Sequence, residues 1–257
     1  MPAASTRIRL ALVFVSALQA GRAYGRTAGD SIRLAWEEGD VAGTTTILAP
    51  DDHEIGVVEY RQVRRGDRLS SRRVARFADG SSDEDEAEAI VAERLEAISG
   101  RSVVRDADGE AIVDVTIDVR GGRISGTVGR DAARREVSIQ VAFPPATYWG
   151  PLVFIALKNF AANAEDGRLV FRTVAPTPTP RVFDMVLTDA GPASLAQAGV
   201  TLDARRFTLA PTLNWAIDPI IRLVVPEAAF FLLPGDPPAL ARFTGPRNFN
   251  RQPIRIQ

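Results

Sequence analysis

Polar and apolar positions alternate along most of this chain. From Ile112 to Val119, the apolar Val113, Val115, Ile117 and Val119 are interleaved with Asp114, Thr116 and Asp118. That period of two is what a half-buried strand requires. Ile55 to Arg65 and Arg68 to Ala78 flank Gly66-Asp67, a two-residue hairpin signal. Ser102 to Arg105 runs into the turn Asp106-Ala107-Asp108-Gly109, and Arg120-Gly121-Gly122 leads into Arg123 to Val128. Further strands are predicted at Glu136 to Phe143, Arg168 to Val174, Val182 to Thr188, Arg205 to Leu209, Ala228 to Leu233 and Ala239 to Thr244. Short strands separated by turn residues, with no repeat of fixed period, predict an antiparallel meander.

Two segments depart from that rhythm. Pro151 to Asn163 (PLVFIALKNFAAN) is predicted as a helix with Pro at its first position. It is apolar on nearly every side, so burial is expected. Asp83 to Ile98 (DEDEAEAIVAERLEAI) is ambiguous. Its local propensity, with Ser82 as N-cap and acids in the first turn, is helical. The alternation of Ala87, Ala89 and Val91 inside a meander leans to strand. The expected fold is mainly β: a single strongly curved antiparallel sheet, an open or half barrel, around one buried apolar helix. Ala175-Pro176-Thr177-Pro178-Thr179-Pro180 reads as a stiff connection at 175–180 within one domain spanning 26–257.

Composition narrows the chemistry. With 46% hydrophobic and 25% charged residues, the chain has the balance of a folded domain. The absence of cysteine removes disulfides, thiol catalysis and cysteine-ligated metals. A net charge of −1 gives no global attraction to nucleic acid. Every basic residue except Lys158 is arginine.

The N-terminus has the pattern of a secretory leader. Arg7 and Arg9 precede the apolar run Leu10 to Ala20, and Ala23 and Gly25 supply small residues for cleavage after Gly25. The run is short of the roughly 20 residues that span a bilayer. The expectation is a signal peptide at 1–25 and an exported, periplasmic or secreted mature chain with no transmembrane span.

Candidate catalytic and metal groups are few. His53, the lone histidine, sits in Asp51-Asp52-His53-Glu54 and is expected in an exposed loop. A hydrolytic zinc site draws two or three histidines, and no second one exists. No G-x-S-x-G elbow or phosphate-binding glycine pattern is present. The acidic run Asp79 to Glu86 does not fit the EF-hand spacing and is expected as a solvated turn. Arg61, Arg64, Arg65, Arg68, Arg72, Arg73 and Arg76 are expected on a solvated hairpin face, with Arg65-Gly66-Asp67 as ordinary turn chemistry. No cofactor and no metal site is signalled.

The aromatic residues form the remaining constellation. Tyr148, Trp149, Phe154 and Phe160 lie on or beside the apolar helix, and Trp215, Phe230 and Phe231 follow later. Most belong to a core. A curved sheet that leaves a gap beside its helix would have an apolar pocket lined by Trp149, Phe154, Phe160, Trp215 and Phe231.

The order of these features resembles that of uncharacterised exported bacterial proteins known as domains of unknown function. The resemblance is carried by Phe77-Ala78-Asp79-Gly80-Ser81, Arg105-Asp106-Ala107-Asp108-Gly109, Trp215-Ala216-Ile217-Asp218 and Ala241-Arg242-Phe243. It implies a curved sheet in the manner of periplasmic lipoprotein-localisation carriers, which fold an open barrel around a helix and hold acyl chains. The expected role is therefore non-catalytic: binding or carriage of an apolar, lipid-like small molecule in the cell envelope, with no nucleic-acid partner. The alternatives are a hydrolase using carboxylates and a structural or assembly partner of the envelope.

Overall fold

The computed structural model of the chain describes residues 29–175, 180–197, 199–212, 228–247 and 253–257. The expected leader, residues 176–179 of the proline-rich connection and Trp215 lie outside the described residues. The first meander contains β1 (Val41–Leu48), β2 (Glu54–Arg65), β3 (Arg68–Phe77), β4 (Ser82–Val91), β5 (Leu95–Arg105), β6 (Ala111–Asp118), β7 (Arg123–Val128) and β8 (Arg135–Gln140). Two short helices follow, α1 (Leu152–Lys158) and α2 (Phe160–Asn163). The second meander contains β9 (Arg168–Ala175), β10 (Arg181–Gln197), β11 (Val200–Pro211), β12 (Ala228–Leu233), β13 (Ala239–Pro246) and β14 (Pro253–Ile256).

The fourteen strands among the described residues join one sheet in the order β8-β7-β6-β5-β4-β3-β2-β1-β14-β13-β12-β11-β10-β9. Each meander is a chain of hairpins, and β1 and β14 join the two. The outermost strands, β8 and β9, are not paired with each other among the described residues, so the barrel is open. The outer edge of β9 is partly covered by segment 146–148, where Tyr148 N donates to Arg172 O at 2.8 Å.

The expected β7 and β12 are found at their predicted bounds. Residues 83–98 fall in β4 and the start of β5, with 92–94 connecting the two strands. The apolar segment at 151–163 is helical, but as two pieces broken at Asn159, with φ −95° and ψ 14°. The Asn159 side chain turns back, donating from Nδ2 to Ile155 O at 2.9 Å and accepting Ala35 N–H at 2.7 Å. An asparagine that binds nearby backbone in this way competes with helix continuation. β8 ends at Gln140 rather than Phe143, ahead of Pro144-Pro145.

One core cluster shows that the sheet curls. Leu152, Ile155, Ala156, Leu157 and Phe160 of the helices are buried with Ala87, Val115 and Ile124 of the first meander and with Phe171, Leu187, Phe207 and Phe230 of the second. A single helical segment can meet strands from both halves only if their shared face is concave. Trp149 can approach β5 closely because residue 100 is glycine; a Cβ there would stand 2.6 Å from the indole and 2.4 Å from Glu86 O.

The segment 31–40 closes the helix end. Ile32 N donates to the Tyr148 hydroxyl at 2.9 Å, Arg33 N to Asn163 Oδ1 at 2.7 Å, and Leu34 N to Glu93 O at 2.9 Å. Glu38 accepts from Lys158 Nζ at 2.7 Å, which ties this segment to the end of α1.

Candidate ligand pocket

Alternation along β3 sets out the barrel interior. Leu69, Ser71, Arg73, Ala75 and Phe77 share one face by parity. Leu69 belongs to the core around the helices. Ala75 and Phe77 belong to a second apolar cluster with Ile47, Val58 and Ile254, against which Ile55, Phe243 and Ile256 pack. Ser71 and Arg73 therefore mark a polar belt between two apolar zones.

The belt is closely bonded. Gln62 Oε1 accepts from the Tyr60 hydroxyl at 2.6 Å and from Ser71 Oγ at 3.3 Å. Gln62 Nε2 donates to Glu38 Oε2 at 3.1 Å. Burial, with a smaller contribution from the Glu38 charge, pushes the Tyr60 phenol up to about 12, against the hydrogen bond with Ser71. Arg73 Nη2 meets Asp85 Oδ2 at 2.5 Å, and Ser102 Oγ donates to Asp85 Oδ1 at 2.8 Å. Burial opposes the Arg73 charge, but the carboxylates of Asp85 and Asp83 outweigh it and hold its pKa above the ordinary arginine value.

Below the belt, at the end opposite the helices, is a cavity of about 200 Å³. Phe77, Phe243, Ile254 and Ile256 supply apolar walls, and Arg73 and Asp83 line it as well. Arg247 also lines it, with its guanidinium carbon 3.4 Å from the centroid of the Phe77 ring. Arg247 donates to Ser81 Oγ and reaches Asp79 Oδ2 at 3.4 Å. Hydrogen bonds from Ser81, aided by the Arg247 charge, hold the Asp79 carboxyl below its usual range. A Cβ at position 245 would stand 2.6 Å from the Phe243 ring, so Gly245 lets that ring lie against its own strand.

The aromatic residues expected to line a pocket are not all brought together. Trp149 is 2% exposed, and Phe160 is buried with its ring 4.9 Å from that of Phe207. Phe154 is half-buried rather than deep, in edge contact with Phe230 at 5.9 Å. These rings fill one another's space around the helices. Phe231 follows Phe230 in β12, so its side chain leaves the opposite face, paired across the sheet with Arg206 and Arg242.

Two charged runs differ from their expected settings. Asp83 to Glu86 are not a solvated turn, because Ser82–Val91 is β4 and it pairs with β3. Outward on these strands, Glu84 and Glu86 meet Arg72 at 2.5 and 3.2 Å. Asp83 and Asp85 turn inward, and so does Arg73, which is not on the solvated hairpin face. The seven-arginine pattern hid this residue, although its parity with Leu69, Ala75 and Phe77 was the available signal. His53 lies in the exposed β1–β2 connection, with Nδ1 2.5 Å from Asp51 Oδ1.

No family model matches the chain. No curated protein matches it. Among solved structures it is similar to the crystal structure of a beta-barrel-like protein of Domain of Unknown Function DUF1849 from Brucella abortus. The identity is 10% over 88% of this chain and 97% of that one, with a TM-score of 0.46.

Proposed function

We propose that this chain is an exported, non-catalytic binding protein of the cell envelope, and that its cavity holds an amphipathic, lipid-like small molecule. One observation carries the reading: the open end of the barrel keeps a cavity of about 200 Å³ with apolar walls and arginine groups at its margins. An apolar cavity left empty forfeits contact energy, and an alkyl chain restores it at roughly 0.8 kcal/mol per buried CH₂. The leader pattern at 1–25 supports export. A carboxylate hydrolase is less favoured, because Asp85 is already occupied by Arg73 and Ser102. An edge-docking role is less favoured too, because β8 is six residues long and carries Arg135 and Glu136, features that discourage strand addition.

Titration of folded, delipidated protein with an uncharged fluorescent probe carrying a short alkyl chain tests the binding reading. Saturable binding at micromolar probe is expected, competed by unlabelled amphiphiles. No saturable binding overturns it. N-terminal sequencing of protein recovered from the host envelope tests export, with a start near Arg26 expected.

A further inference from the structure

We infer that the ligand enters this cavity polar end first, with an uncharged oxygen accepting from Arg73 and a short alkyl chain trailing toward Arg247. The inference rests on the binding reading above and adds orientation, head-group class and chain length.

Orientation follows from the order of side chains along β3. Arg73 is next to the bonded belt, and Phe77 is at the strand end where the chain turns through Asp79. Arg247 covers Phe77 at that same end. A chain entering tail first would drive its methyl group against Arg73 and Asp83. Apolar atoms there would displace hydrogen-bonding capacity without replacing it. Polar end first, the alkyl carbons instead meet Phe77, Phe243, Ile254 and Ile256.

Arg73 also has hydrogen bonds to give. A guanidinium carries five N–H donors. Among the described residues Arg73 donates to Asp85 from Nη2 and no acceptor is bonded to its Nη1, while the side chain keeps 21% of its surface accessible. An oxygen on the ligand would meet that unused donor capacity. Its charge is already matched, because both Asp85 and Asp83 act on this guanidinium. A third anion beside these two carboxylates would be repelled, so a hydroxyl or ester carbonyl is preferred to a carboxylate.

The volume sets the length. A cavity of about 200 Å³ holds a short alkyl chain. Medium-chain alcohols and esters fit, and longer chains protrude past Arg247.

The test uses the purified chain with 1-octanol, methyl octanoate and octanoate, followed by calorimetry and by intermolecular NOEs from the terminal methyl group. Octanol and the ester are expected to bind at least fivefold tighter than octanoate. The methyl NOEs are expected at Phe77, Phe243 and Gly245, not at Ser71 or Ser102. Arg73→Gln is expected to weaken octanol more than tenfold, and Phe243→Leu to weaken all three compounds together. Methyl NOEs at Ser71 or Ser102 overturn the orientation, and octanoate binding as tightly as octanol overturns the uncharged head, while in either case the binding reading stands. No saturable binding of any of the three compounds overturns both. If Arg73→Gln does not fold, the NOE pattern and the ligand series on the unaltered protein decide.

Discussion

The two ends of the barrel are made from the same strands but are filled differently. At one end the inner face meets Leu152, Ile155, Leu157 and Phe160, and residues 31–40 close over them. At the other end, among the described residues, the strands meet each other's side chains and Arg247, and a cavity remains. An eight-stranded barrel is just wide enough for its own side chains to fill, so fourteen curled strands enclose more than side chains can occupy. The helices supply the missing volume at one end. Nothing equivalent among the described residues supplies it at the other.

The sharpest way to break this contrast is to truncate one aromatic residue at each end. Trp149→Ala should cost about 3–5 kcal/mol in a urea melt, as for a large buried ring. Phe243→Ala, at a half-exposed cavity wall, should cost about 1 kcal/mol or less and mainly reduce probe binding. Equal losses would make both ends ordinary core. Next in size is Gly100→Ala, expected to cost about 2–3 kcal/mol because its Cβ collides with backbone and with Trp149. Gly43→Ala, with nothing within 4 Å of its Cβ, is the control and should stay within about 0.5 kcal/mol.

The belt between the two ends should respond to alkali. Tyr60 has a folded-state pKa near 12, above the usual phenol value, so its contribution is complete below about pH 10. It is lost as pH rises from 10 to 12, by at most about 2 kcal/mol. Denaturant melts across that range should show a steeper fall in the parent than in Tyr60→Phe. The smallest effect is expected on the outer face. Asp114→Asn, which breaks the exposed pair with Arg101 at 2.7 Å, should change stability by about 0.5 kcal/mol and matter less in high salt.

The helix-filled end was more legible in sequence than the cavity. Val113, Val115 and Ile117 announce their strand because every inward position is apolar, and Leu152 to Leu157 announce a buried helix for the same reason. Inward polar residues break that code. Asp83 and Asp85 stand where β4 needs inward side chains, and this gave 83–98 its helical look. β1, with Gly43 and Thr44 to Thr46, and β14, four residues beginning with Pro253, carry too little apolar contrast to register as strands. The pocket needs long-range pairing to exist at all, since Phe77 of β3 and Phe243 of β13 are brought together through the β1–β14 junction. Sequence parity could have separated Phe231 from Phe230, which β12 sends to opposite faces.

Among the described residues the ladder between β1 and β14 pairs Ile47 with Ile256 and Leu48 with Arg255, continued by a bond from Gln257 N to Thr46 O at 3.3 Å, and this short junction has a kinetic consequence. Each meander can assemble hairpin by hairpin, since every other strand neighbour is the next in the chain. Local pairing of that kind is fast. Joining the halves closes a loop from Ile47 to Ile256, an entropic cost that grows only logarithmically with length but falls on a very short ladder. The joining step is then the slow one in refolding, and it is also the step that brings Phe77 to Phe243. Ligand-binding capacity should therefore return with the slowest refolding phase, after most of the β-sheet circular dichroism signal has recovered.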